Sequence, residues 1–303
     1  MLSYNRLSKK PSLFKSFTGL SIQQFNDIYK EIKSKYKKYE IQRLSLKRRR
    51  ERNVGAGRHF KLIVEDRVIM VLVYYRLYIT YTLAGFLFDL DQSNICRGIQ
   101  KIESLIRKCI PIPQKTYNIT KRLKTTGEVE KYFPGFMAFI DCTEQQIPRP
   151  IDKRKRKMYY SGKKKRHTVK NQLVVNNKGY IVCKLGHKKG RRHDYDVYKK
   201  NHPVTPKDVL NVFDLGYVRV EKDFPEQLSS LPKKKKRNLE LSQEEKDYNK
   251  NHSRKRIVIE HTICRLKKYR IMNDVFRNRL RKYNRISDIV AGLINYRIMK
   301  QHN

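Results

Sequence analysis

The sequence predicts an α/β protein, with a mixed-sheet core preceded by an all-α domain. Three observations carry this. Apolar residues recur at helical spacing through 61–110. From residue 136 onward, short apolar runs and a hairpin signal replace that spacing. Two further helical patterns, over 254–272 and 284–300, close the chain. Strand, hairpin, helix, strand and then helices is the order of an α/β core with a mixed sheet. The expected domains are a basic helical arm over 1–60, a helical domain over 61–115 and the α/β domain over 131–303.

Composition narrows the partners. The 303 residues include 71 Lys and Arg against 28 Asp and Glu, a formal net charge of +43 with a pI near 10.2. Such a surface attracts polyanions, of which nucleic acid is the commonest inside cells. A binder of cationic ligands and a generic metabolic enzyme are excluded. An AT-rich genome would explain Lys over Arg, but not the scarcity of acids. Five Cys stand at 96, 109, 142, 183 and 264 with no CxxC pair and no zinc spacing. They read as reduced thiols of a cytosolic protein. No apolar signal segment opens the chain. Residues 68–88 are apolar enough, by length alone, to span a bilayer. Arg76 near the middle, with Tyr, Thr and Gly around it, favours a pair of buried helices and no membrane.

Phe25, Ile28, Tyr29 and Ile32 keep helical spacing, in a helix expected to run to about Leu46. The basic, Gly-punctuated segment 47–58 reads equally as a mobile arm and as a solvated linker. Three helical patterns follow: Glu65 to Tyr75, Thr80 to Phe88 with Thr80 or Thr82 as cap, and Ser93 to about Cys109. Asp89–Gln92 is the turn between the last two. Helix, tight turn and a second helix opening on small polar residues form the helix-turn-helix pattern. It sets Ile95, Ile99 and Ile102 inward and Gln92, Ser93, Asn94 and Arg97 outward, where they are placed to meet base edges or phosphates of double-stranded DNA. The competing reading is an ordinary helical bundle. Pro111, Pro113 and the polar run to Glu130 mark a boundary. Phe136–Asp141 then reads as a strand, Val169–Val175 and Tyr180–Leu185 as a hairpin around Asn176–Gly179, Asp194–Lys200 as a short helix and Val209–Asp214 as a strand.

Acids are scarce enough to be informative. Residues 131–220 contain seven: Asp141, Glu144, Asp152, Asp194, Asp196, Asp208 and Asp214. Asp141 and Asp214 end apolar strands, where α/β sheets hold ligands. Glu260 shares one helix face with Arg256 and Lys267, beside the apolar stripe Ile259, Ile263 and Leu266. A carboxylate flanked by two cations suits a metal ligand beside a phosphate, and equally a surface ion-pair ladder. Three carboxylates without a Cys or His partner predict a hard cation, Mg²⁺ or Mn²⁺. Two such ions activate a water or a 3′-hydroxyl and steady the leaving oxygen of a phosphodiester. Asp194 is the reserve ligand, with a helix N-cap as its alternative role. The run 153–170 holds ten Lys and Arg and no acid, with Lys163, Lys164, Lys165 and Arg166 together and Tyr159 and Tyr160 between. Cations that hold phosphate and rings that stack on bases suit a DNA channel. A solvated loop is the alternative there and for the second basic run, 233–237.

Five of these segments, in order, resemble one family. Asp141-Cys-Thr-Glu-Gln-Gln-Ile-Pro-Arg-Pro150 resembles the first catalytic strand of insertion-sequence transposases with an Asp-Asp-Glu triad. Tyr159-Tyr-Ser-Gly-Lys-Lys-Lys-Arg-His-Thr168 is similar to the segment that follows it there, and Asp214-Leu-Gly-Tyr217 to the second-Asp motif. Arg256, Glu260 and Lys267 match the third-acid signature, and Ala291-Gly-Leu-Ile-Asn295 the closing helix. The likeness reaches back to about residue 17 and is nearest to the insertion-sequence-5-like group. It implies a ribonuclease-H-like fold, two divalent ions on Asp141, Asp214 and Glu260, and phosphate or end-DNA contact by Arg256 and Lys267. It also implies binding to terminal inverted repeats, cut-and-paste strand transfer, no small-molecule cofactor and a homo-oligomer, a dimer, that holds two DNA ends. The expected location is the cytoplasm, at the nucleoid. Relatives often carry Tyr where this chain has Ser253, which leaves the subgroup and any aromatic stacking at that position open. Competing readings are a decayed or domesticated DNA-binding copy, a structure-selective nuclease of the same fold and a basic RNA-binding protein. Flanking inverted repeats and a duplicated target would separate the first two from a transposase.

Overall fold

A computed structural model of the chain describes residues 1–45, 56, 60–235 and 239–301. Most of the basic segment 47–58, together with Lys236 and Arg237, lies outside them. The chain forms two compact units: Met1–Ile110 with Tyr269–Ile271, and Pro111–Lys268 with Met272–Asn303.

The first unit is all α. Helices α1 (Tyr4–Ser8), α2 (Pro11–Thr18) and α3 (Ile22–Ser45) precede α4 (Val64–Leu77), α5 (Tyr81–Phe88) and α6 (Gln92–Cys109). The sequence reading does not foresee α1 and α2. Both are too short to show a period, and they form because Ser3 caps α1 and Pro11 opens α2. Their Leu7 and Phe14 are buried, as are Phe25, Ile28 and Ile32 of α3, and Phe14 meets Phe25 edge-on. Helix α4 is buried from Val68 to Tyr75 on every side, as a helix that is apolar all round must be. The long apolar stretch breaks at Tyr78, which turns left-handed at φ 50° and separates α4 from α5. Among the described residues no helix is long and apolar enough to cross a membrane. Thr80 caps α5 by accepting from the Leu83 N–H at 3.1 Å. The turn to α6 is tight: the Leu90 N–H donates to the Gly85 carbonyl at 3.0 Å, and a Cβ on Gly85 would lie 2.5 Å from the Leu90 carbonyl oxygen. Only glycine fits there. Ile95, Ile99 and Ile102 of α6 are buried, while Gln92, Ser93, Asn94 and Arg97 are exposed.

The second unit opens with α7 (Pro113–Thr120) and α8 (Thr126–Tyr132), in the run expected to be a polar boundary. Pro113 starts the first, and a capping box of Thr125 and Glu128 starts the second. The strands are β1 (Met137–Gln146), β2 (Tyr160–Ser161), β3 (Arg166–Asn176), β4 (Ile181–Lys184), β5 (Lys188–Lys189), β6 (Leu210–Val212) and β7 (Ser229–Ser230). Helix α9 (Lys153–Tyr159) occupies the basic run, capped by Asp152. Helices α10 (Asp194–Asn201), α11 (Val220–Asp223), α12 (Gln243–Lys267) and α13 (Tyr283–Met299) complete the unit. Strand β1 is central, antiparallel to β3 and parallel to β6, which runs parallel to β7; β4 flanks β3 on the far side. Three antiparallel strands joined to two parallel ones through the first strand make a ribonuclease-H-like core.

Two bounds differ from expectation. Strand β1 continues five residues past Asp141, because its polar half still pairs with β3, Cys142 facing Gln172 and Gln146 facing Thr168. Helix α12 begins at Gln243, well before 254, because Ser242 and Glu245 form a capping box ahead of a polar turn with no apolar stripe. The closing helix has a defined task. The Asn295 side chain accepts from the Ile181 N–H at 2.8 Å and donates to the Ile181 carbonyl at 2.9 Å, so α13 satisfies the outer edge of β4.

Candidate active site

Register places the two aspartates. The parallel pair β1–β6 ends with Phe139 opposite Val212. Asp141 and Asp214 each lie two residues beyond that last pair, just past the carboxyl end of the parallel pairing. Side chains two apart on a strand share a face, so Asp141 follows Phe139 onto the face opposite to that of Ala138 and Ile140. Its Oδ1 accepts from the Cys142 N–H at 2.7 Å, and its Oδ2 lies 3.3 Å from Arg256 Nη2 of α12. Asp214 Oδ1 accepts from the Leu215 N–H at 2.7 Å and lies 3.5 Å from Arg256 Nη1. One guanidinium therefore bridges both carboxylates. Burial pushes the Asp141 carboxyl up to about 6, against the opposing pull of Arg256. Asp214 is more open to solvent, with 51% of its side chain exposed.

On the other face of β1, Cys142 and Glu144 meet β3 and α10. Lys170 Nζ, almost wholly buried, lies 3.2 Å from Glu144 Oε1 and 2.8 Å from Asp194 Oδ1. Thr168 Oγ1 donates to Glu144 Oε2 at 2.8 Å. Burial lowers the tendency of Lys170 to stay charged, but the ion pairs with Asp194 and Glu144 outweigh it and its pKa is raised. Gly190 is required beside this cluster, since a Cβ there would overlap Thr168 Oγ1. The cap of α10 is His193, not Asp194, whose carboxylate turns to Lys170 instead. Behind Asp141, the Tyr217 hydroxyl donates to Cys142 Sγ at 3.5 Å and accepts from Gln172 Nε2 at 3.2 Å.

The structure thus brings together Asp141, Asp214 and Arg256, and it sets Asp194 apart with Lys170 and Glu144. Glu260, one turn beyond Arg256 on α12, is exposed, and among the described residues its side chain makes no hydrogen bond or ion pair; Lys267 is half-buried. Among the described residues no group of three or more His, Cys, Asp or Glu is close enough to hold a metal ion. The two aspartates do fit one: their donors are oxygens, their seat already accepts a cation, and no His or Cys ligand competes, which suits Mg²⁺ or Mn²⁺. Sequence reasoning missed Lys170, Glu144 and Thr168. Their signal was register, since Glu144 pairs Lys170 across β1 and β3.

At the head of α6, Arg97 donates to Ser93 Oγ at 3.1 Å and to Asn94 Oδ1 at 3.0 Å, and Asn94 Nδ2 donates to Asp91 at 3.3 Å. The exposed face is thereby ordered. Lys163, Lys164 and Lys165 stand exposed in the turn from β2 to β3, and Arg166 donates to Gln146 Oε1 at 2.8 Å.

A helix-turn-helix unit and a ribonuclease-H-like core with two aspartates brought together on adjacent parallel strands define a nucleic-acid-processing class of protein. Family comparison gives the particular one. The family model described as DDE superfamily endonuclease matches residues 140–295, and that described as helix-turn-helix of DDE superfamily endonuclease matches residues 60–112. The chain is 35% identical over 288 residues, 94% of each chain, to a protein of Microchaete diplosiphon named probable transposase for insertion sequence element IS702. The chain belongs to the DDE superfamily of endonucleases and transposases. No solved structure matches it.

Proposed function

We propose that this protein is a DNA transposase that binds the terminal inverted repeats of its element and cuts and joins DNA strands at Asp141 and Asp214. The observation that carries this is the register of β1 and β6, which brings two aspartates just past the end of their parallel pairing, under one arginine. Asp141, Asp214 and, after a movement of α12, Glu260 would hold two Mg²⁺ or Mn²⁺ ions. Bound there, the ions would activate a water or a 3′-hydroxyl and stabilise the leaving oxygen. Arg256 and Lys267 hold the phosphate, and Lys163, Lys164, Lys165 and Arg166 neutralise the backbone nearby. Gln92, Ser93, Asn94 and Arg97 read base edges at the element ends. Two chains act together, because two ends must be held at once, and the protein works at the nucleoid. The position of Glu260, outside the aspartate pair, favours one second reading: a copy that binds ends without cutting them.

The test uses the purified chain and a plasmid carrying the native element ends, with Mg²⁺, beside Asp141→Asn. Cleavage and joining at the ends that vanish in the variant support the proposal. Tight end binding without cleavage by either protein supports the binding-only copy. Cleavage of DNA lacking those ends, without joining, points to a nuclease. Equal cleavage by both proteins removes Asp141 from the chemistry and moves the test to Asp194.

A further inference from the structure

Arg256 sits where a cation is wanted, but it is held loosely. Its two terminal nitrogens are 3.3 and 3.5 Å from Asp141 and Asp214. Guanidinium–carboxylate pairs optimised for stability close to about 2.7–2.9 Å. The third guanidinium nitrogen, Nε, is buried with no hydrogen-bond partner. The side chain as a whole is only 11% exposed. Without a cation, two carboxylates converging on one point would repel each other. With Arg256 there they do not, at the cost of an unsatisfied donor. Glu260 completes the picture from the same helix. It is four residues on, one turn along and displaced by a small angle around α12, and among the described residues its carboxylate has no partner. Arg256 and Glu260 therefore move together with α12.

We infer that Arg256 is a built-in placeholder: it holds the cation seat between Asp141 and Asp214 in the DNA-free protein and leaves it for a DNA phosphate, so that divalent metal and DNA load together. The inference rests on the reading that Asp141 and Asp214 are the metal-binding pair. The chemistry of the exchange is balanced by charge. The guanidinium trades two long carboxylate contacts for a phosphate, whose oxygens match its fork in two parallel hydrogen bonds. The aspartates, stripped of their cation, then favour a divalent ion more strongly than before. Because coupling between two ligands is reciprocal, DNA raises metal affinity by the same factor by which metal raises DNA affinity. The arrangement guards against idle chemistry: a DNA-free chain is poor at holding metal.

The experiment measures Mn²⁺ binding to the full chain by electron paramagnetic resonance of the free ion, with and without a saturating element-end duplex. Asp141→Asn/Asp214→Asn serves as the blank for ions held by DNA alone. In the unaltered chain, DNA should raise Mn²⁺ affinity about tenfold, within the usual range of coupling between two sites. Arg256→Gln should raise the DNA-free affinity by about the same factor and leave DNA less than about twofold further to add. Arg256→Lys, which keeps a cation in the seat, should retain the low DNA-free affinity. Thermal unfolding checks that each variant is folded, and Mn²⁺ should raise the Tm of Arg256→Gln more than that of the unaltered chain. Unchanged or weaker DNA-free Mn²⁺ binding by Arg256→Gln, with the DNA effect intact, overturns the placeholder while leaving the aspartates as ligands. A DNA-free double aspartate variant that binds Mn²⁺ as tightly as the DNA-free unaltered chain overturns the metal-site reading and the inference with it.

Discussion

Lys170 lies between Glu144 and Asp194 with its ammonium almost fully removed from water, and among the described residues neither acid has another cation within reach of an ion pair. Replacing it by Met keeps the volume and leaves two carboxylates uncompensated. A buried pair broken in this way costs about 3–5 kcal/mol. Urea unfolding of Lys170→Met should show a loss of that order, and a loss under about 1 kcal/mol would mean that solvent already screens the cluster. His252 offers a pH test. Burial lowers its pKa, Arg256 adds to the lowering, and the hydrogen bond to the Ser230 carbonyl at 3.2 Å pulls the other way. With the folded value depressed, the unfolded chain binds the proton first. Stability from this group is therefore complete above about pH 6.5 and falls as pH drops through the range down to the lower folded value. Tm followed from pH 7.5 to 5 should decline less steeply in His252→Gln, which keeps a donor for Ser230; an identical acid limb in both would assign the decline elsewhere.

Among elements, the tight turn between α5 and α6 is the most sharply specified. A methyl on Gly85 meets the Leu90 carbonyl at 2.5 Å, whereas one on Gly127, in α8, meets nothing within 4 Å. Gly85→Ala should destabilise the helical unit by about 1–3 kcal/mol through overpacking and lower affinity for the element ends. Gly127→Ala should be neutral or stabilising by up to about 1 kcal/mol, since alanine is the better helix former. Calorimetry of the two variants separates these outcomes, and a silent Gly85→Ala would mean that the turn yields. Helix α12 carries a second element-level property. Its first two turns are polar, His252 is buried against the Ser230 carbonyl, and Ile259, Thr262 and Leu266 are buried further along. The helix is held along both halves, since Tyr248, Asn249 and His252 also bond to residues 230–233.

For the whole molecule, charge is the dominant property. At +43, its affinity for DNA should fall steeply with salt, because each neutralised phosphate releases counterions. Lys163→Ala, Lys164→Ala and Lys165→Ala combined should reduce the slope of log affinity against log salt by about one for each lysine that meets a phosphate, uniformly across DNA sequences. Arg97→Ala should instead relax preference for the element ends at a cost of about 1–3 kcal/mol. Salt titrations on end and random duplexes distinguish the two, and an unchanged slope in the triple variant would place the β2–β3 turn away from DNA. Much of this protein is legible in its residues. The helices α3 to α6 show in apolar spacing because each buries one stripe or, in α4, its whole surface. The hairpin shows because Asn176–Gly179 carries a left-handed glycine at φ 81°. The short helices α1, α2, α7 and α9 do not, because capping and tertiary packing make them where periodicity is too brief to register. By itself the sequence determined the kind of protein: its charge, its order of elements and the acids that end its apolar strands. Only the tertiary structure decided which acids meet. Distance between residues far apart in the chain depends on strand register and helix rotation, and these join Asp141 to Asp214 through Arg256, turn Asp194 to Lys170 and leave Glu260 facing water.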